Sequence, residues 1–152
     1  TTPMQIKTLE DVLHWTTAYH ELLSDSIAHA VERAENGAVS LLLDYLAKHE
    51  STLAQLIRLL EQTADAKALS TLCYEYLDTR PIFQHQHRDK DFAELKINEI
   101  VTKLVHEHEQ IIELYRYLYW RAETVSAQDL LKQLLMLEEH QAMKMNQAVN
   151  RS

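Results

Sequence analysis

Glycine and proline are nearly missing from this chain, with one Gly and two Pro among 152 residues. Sheets need such residues at every turn, so their scarcity speaks against a β or mixed fold and for long helices with few connections. Cysteine is equally scarce. The single Cys73 excludes an internal disulfide and removes the usual sign of a secreted scaffold. No apolar run approaches ~18 residues, so no membrane span is expected. No basic-then-apolar stretch opens the sequence, so no signal peptide is expected. Positive charge is also in short supply. Fifteen Lys and Arg face 23 Asp and Glu, for a net charge of −8 with the nine His neutral. An acidic surface is a poor match for nucleic acid or an anionic membrane, and neither is expected as a partner. What remains is an all-α domain covering 1–152, cytoplasmic, with length enough for one core.

Apolar residues recur at a helical period in four stretches, over 8–35, 38–62, 91–121 and 127–149. Thr8 followed by Asp11 is a capping pair for the first, and Ser126 with Asp129 serves the fourth. Asn36-Gly37 breaks the pattern between the first two, where a left-handed residue costs little. Matched long helices with short links before the second and fourth predict an antiparallel four-helix bundle. The connection over 63–90 is longer. A short helix is expected at 66–78 on Leu69, Leu72, Tyr76 and Leu77, stopped by Arg80-Pro81. The polar stretch containing His85, His87 and Asp89 reads as a surface loop.

At ~100° per residue, each helix carries one titratable residue where its apolar stripe calls for a Leu. These are His20 within Leu13, Thr16, Leu23 and Ile27, and Glu50 within Leu43, Leu46, Leu53 and Ile57. On the third and fourth helices they are His108 within Val101, Leu104, Ile111 and Tyr115, and Glu138 within Leu131, Leu134, Gln141 and Met145. Their heights agree too. His20 stands 16 residues before Asn36 and Glu50 14 after it, while His108 stands 16 before Thr124 and Glu138 14 after it.

Ionised carboxylates in a dry core are costly unless paired. A divalent metal on two His and two Glu cancels both formal charges, and this donor set suits Fe(II), Mn(II) or Zn(II). His20, Glu50, His108 and Glu138 are therefore the candidate metal ligands, for one ion or two per chain. His49, Glu107 and Gln141 stand on the flanks as additional ligands or as groups that orient them. The competing reading needs no ion: each His pairs with a Glu in a buried polar network that fixes bundle register. His106, Glu109, Glu139 and His140 fall off the stripe and read as solvated. Trp15, Tyr19 and Leu22 form a second apolar strip on the first helix, suited to the linker helix or to a homodimer interface.

Four long helices with His20, His49-Glu50, His106-Glu107-His108-Glu109 and Glu138-Glu139-His140 near their centres resemble the ferritin-like superfamily. That resemblance implies a bundle holding iron or manganese, and oxidoreductase chemistry on O2 or peroxide, electron transfer or iron storage. The family pattern puts Glu on the first and third helices and Glu-x-x-His on the second and fourth. Here His20 occupies the first slot, Leu53 follows Glu50, and Gln141 follows Glu138, so a ferritin-like centre would be rearranged, mononuclear or degenerate. The alternative function is a non-catalytic bundle that serves as a structural or protein-interaction module.

Overall fold

A computed structural model describes residues 6–73 and 92–150. Its long elements are α1 (Leu9–Val31), α2 (Gly37–Thr63), α4 (Ile97–Arg121) and α5 (Val125–Asn150), of 23 to 27 residues each. A single turn, α3 (Ala66–Leu69), follows α2, and a 3₁₀ turn (Phe92–Glu94) precedes α4. The described residues are all-helical apart from one isolated bridge between Thr8 and Leu72.

The starts are set by side chains that satisfy orphan backbone N–H groups. Thr8 accepts from the Asp11 N–H while the Asp11 carboxylate accepts from the Thr8 N–H, a complete capping box on α1. Asn36 caps α2, its Oδ1 accepting from the N–H groups of Ala38 and Val39. The break there comes from this cap rather than from a left-handed residue, since no described residue has positive φ. The first helix also stops earlier than 35, at Val31. Thr124 caps α5 by accepting from the Ala127 N–H, displacing the expected Ser126 and starting the helix at Val125. Helix α4 begins at Ile97 rather than 91, because Phe92–Glu94 take up a tighter turn and Glu99 accepts from the Lys96 N–H.

The short helix expected at 66–78 is cut back to α3. Leu9 N–H donates to the Thr71 carbonyl and Cys73 N–H to the Lys7 carbonyl, so the chain after α3 runs extended across the start of α1. Tyr76, Leu77, Arg80-Pro81, His85, His87 and Asp89 lie outside the described residues.

Contacts between α1 and α2 run in opposite chain directions: Ser40 with the Val31 carbonyl, Ser24 with the Ala47 carbonyl, Arg58 with Glu21. Arg116 of α4 pairs with Glu139 of α5. Across the other two seams, Tyr115 of α4 donates to Thr16 of α1, and His49 of α2 meets Gln141 of α5. The four helices thus enclose one apolar interior that includes Leu13, Leu23, Leu43, Leu53, Ile111 and Leu134. Each such side chain contributes ~1.5–3 kcal/mol by leaving water. Among the described residues, no helix is long and apolar enough to cross a membrane.

Candidate metal centre

In the middle of that interior the four interruptions of the apolar stripes meet. His20, Glu50 and Glu138 have no exposed surface and His108 has 2%. Their ring nitrogens and carboxylate oxygens alternate around a closed circuit. His20 Nε2 contacts Glu138 Oε1, and Glu138 Oε2 lies 3.1 Å from His108 Nδ1. His108 Nε2 lies 2.7 Å from Glu50 Oε1, and Glu50 Oε2 returns to His20 Nδ1 at 3.4 Å. The imidazole centroids are 5.4 Å apart.

The last of these four contacts is the loose one. His20 Nδ1 and Glu50 Oε2 are buried, face each other, and lack any hydrogen bond of good geometry. When His20 is neutral, a nitrogen lone pair and a carboxylate oxygen without a hydrogen bond in a dry core are what a cation would relieve. Donor atoms of His20, Glu50 and His108 lie within 4.8 Å of one another, so this buried group can hold a metal ion. The donor set of imidazole and carboxylate is that of a borderline divalent metal.

Electrostatics ties the four together even without an ion. Burial alone pushes both imidazoles toward the neutral form, but the two carboxylates outweigh it. His20, held chiefly by Glu138 and then Glu50, is raised to about 9, and His108, held chiefly by Glu50, to about 10. Burial likewise pushes Glu50 up, yet His108 and His20 bring it down to about 2, and Glu138 is lowered through His20 and His108. Two imidazolium rings offer four N–H groups to four carboxylate oxygens, and the charges sum to zero. A divalent ion with two neutral imidazoles has the same total charge.

The flank residues fall into two groups. His49 is half-buried, donates through Nδ1 to Gln141 Oε1 at 2.9 Å, and lies tilted against the Tyr45 ring. Glu107, buried on α4, does not reach the ring; its carboxylate accepts a hydrogen bond from the Tyr19 hydroxyl, and Lys103 Nζ stands 3.8 Å from its other oxygen. Tyr19 is the residue that the sequence pattern misplaces. Its apolar strip with Trp15 and Leu22 suggests a face for the linker helix or for a second copy, whereas the residue is 2% exposed and meets Glu107 and Gln110 inside the α1–α4 seam. Its position next to His20 in the chain is the one signal that marks it in advance. His106, Glu109, Glu139 and His140 are exposed, away from the ring.

Access from solvent is narrow. An apolar notch of about 20 Å³, lined by Leu46, Leu104, Val105, Ala142 and Met145 among others, reaches His108 between the helices. No protein-family model, curated protein or solved structure matches this chain.

Proposed function

We propose that the chain is a ferritin-like antiparallel bundle that binds one Fe(II) or Mn(II) ion through His20, Glu50, His108 and Glu138, and works as an oxidoreductase on O2 or peroxide. The observation that carries this reading is the convergence of two imidazoles and two carboxylates, one from each long helix, in a buried circuit with one unsatisfied contact. One ion is favoured over two because the ring offers two negative charges, which balance a single divalent ion. Such an ion, held by these four side chains, would supply both Lewis acidity and a one-electron redox change. The protein's own part is to fix the donors. Glu50 and Glu138 each face both imidazoles, so neither ring turns without breaking two contacts. Tight apolar packing admits only small uncharged molecules, and the notch beside His108 is of that scale. His49, next to Glu50 in the chain and held by Gln141 across the α2–α5 seam, is suited to passing a proton.

The second reading, a metal-free bundle serving as a structural or interaction module, has its own observation: with both imidazoles protonated, the ring balances its own charge. A homodimer in the cytoplasm belongs to the first reading, supported by exposed apolar residues such as Leu41, Trp120 and Val125. Anaerobic titration of the purified protein with Fe(II), Mn(II) and Zn(II) separates the readings. Saturation at one Fe or Mn per chain, lost in Glu50→Gln, is the expected result; no uptake of any of the three refutes the metal reading.

A further inference from the structure

At the end of the bundle where α1 and α5 begin, the described residues enclose a cavity of about 500 Å³. That size falls within the ~300–1,000 Å³ typical of small-molecule sites. Leu9, Leu118 and Leu131, all buried, give it an apolar lining. Another wall is the extended chain after α3, pinned by the Leu9 N–H on the Thr71 carbonyl and the Cys73 N–H on the Lys7 carbonyl. Leu72 stands between those two anchors, its backbone bridged to Thr8 and its side chain 67% exposed. A fixed backbone thus holds an apolar side chain in water beside an apolar cavity, where a ligand would cover it.

The same cavity is basic. Lys67 and Arg121 line it, and Glu123 is the one carboxylate among its lining residues. On a chain of net charge −8, this corner carries one positive charge in excess, the complement of a monoanion. The Arg121 guanidinium carbon lies 3.6 Å from the centroid of the Tyr117 ring. A guanidinium stacked on an aromatic face keeps its in-plane N–H groups for a carboxylate.

We propose that this cavity binds a small amphipathic carboxylate, with its hydrocarbon body against Leu9, Leu72 and Leu131 and its head at Lys67 and Arg121. The site is separate from the His/Glu ring, since Leu131 stands seven residues before Glu138 on α5, ~10 Å along the helix axis. It requires no metal, so the outcome of metal titration leaves it unaffected.

Decanoate, kept below its micelle concentration, is the probe, titrated calorimetrically into the full chain. Cys73 lines the cavity and is the chain's one thiol, so its alkylation by N-ethylmaleimide reports occupancy at this place. Burial pushes that thiol up to about 12, and the alkylation is therefore run in alkaline buffer, where decanoate is ionised. The expected result is one decanoate per chain, with Cys73 alkylation slowed in proportion to occupancy. Octanoate, two methylenes shorter, binds roughly 15-fold more weakly. Lys67→Gln and Arg121→Gln each weaken decanoate by roughly three- to tenfold. Leu72→Asp changes an exposed side chain, so the fold is kept, and it abolishes binding by setting an acid in the apolar wall. Decylammonium, with the same chain and the opposite charge, leaves heat and alkylation unchanged. Absence of saturable decanoate binding overturns the proposal. Binding that leaves Cys73 unprotected, or that survives Leu72→Asp, puts the ligand elsewhere and overturns it too. Equal binding of decylammonium overturns the assignment of the head to Lys67 and Arg121.

Discussion

Glu50 contacts both imidazoles of the ring, and its removal exposes what the ring is for. Glu50→Gln keeps the volume but leaves two imidazoles facing one carboxylate in a dry core. Breaking a buried charge pair costs about 3–5 kcal/mol, so the metal-free variant is expected to unfold at markedly lower urea than the wild type. Replacing the whole ring, as in the quadruple variant H20L/E50L/H108L/E138L, removes every buried charge together. Its stability is expected to equal or exceed that of the metal-free wild type by about 1–4 kcal/mol, which would mark the ring as retained for binding rather than for stability. The pH dependence of the metal-free protein has a definite sign. His20 and His108, raised to about 9 and 10 from 6.5, contribute fully below 6.5, and that contribution is lost as pH climbs through 9 to 10. Glu50, lowered to about 2 from 4.5, contributes fully above 4.5 and stops contributing as pH falls through 2. Thermal melts should therefore peak between 4.5 and 6.5 and fall on both sides. A melting temperature that rises as pH climbs through 6.5 and then levels would show the imidazoles to be neutral in the fold.

At the scale of single elements, caps decide where helices begin. Asn36 satisfies two N–H groups at the start of α2. Asn36→Ala is expected to cost about 0.5–2 kcal/mol in urea unfolding, with no change in metal uptake. A loss within error would mean that the α1–α2 link, rather than the cap, sets the break. Helix existence was readable because four apolar stripes at a 3.6 period have one explanation, and the ring members were readable as charges breaking those stripes. What each donor atom faces was not readable, because spacing fixes a side chain's direction but not its rotamer. The pairing of Tyr19 with the flank residue Glu107 escaped for a related reason: each sits at the edge of its own stripe, and the contact forms across the seam between helices. Leu69 and Leu72 fit a longer third helix, but Thr71 and Cys73 spend their backbone groups on Leu9 and Lys7. Tertiary pairing there overrides local periodicity.

For the whole molecule, the fold gathers four candidate ligands that lie far apart in the unfolded chain, so a metal held by them would be linked to folding stability. A metal present at a hundredfold over its Kd adds about 2.7 kcal/mol, which for a chain of this size raises Tm by roughly 5–11 °C. Chelator should reverse that gain in the wild type and do nothing in the quadruple Leu variant. Calorimetry with and without chelator checks it. The most direct test of the central claim is the metal content of untagged protein purified without oxygen and reconstituted with Fe(II) or Mn(II). About one ion per chain, absent when Glu50 is replaced by Gln, is the outcome that a buried two-His, two-Glu centre requires. No bound metal after reconstitution with Fe, Mn and Zn would contradict it and leave the ring as a charge-balanced polar network.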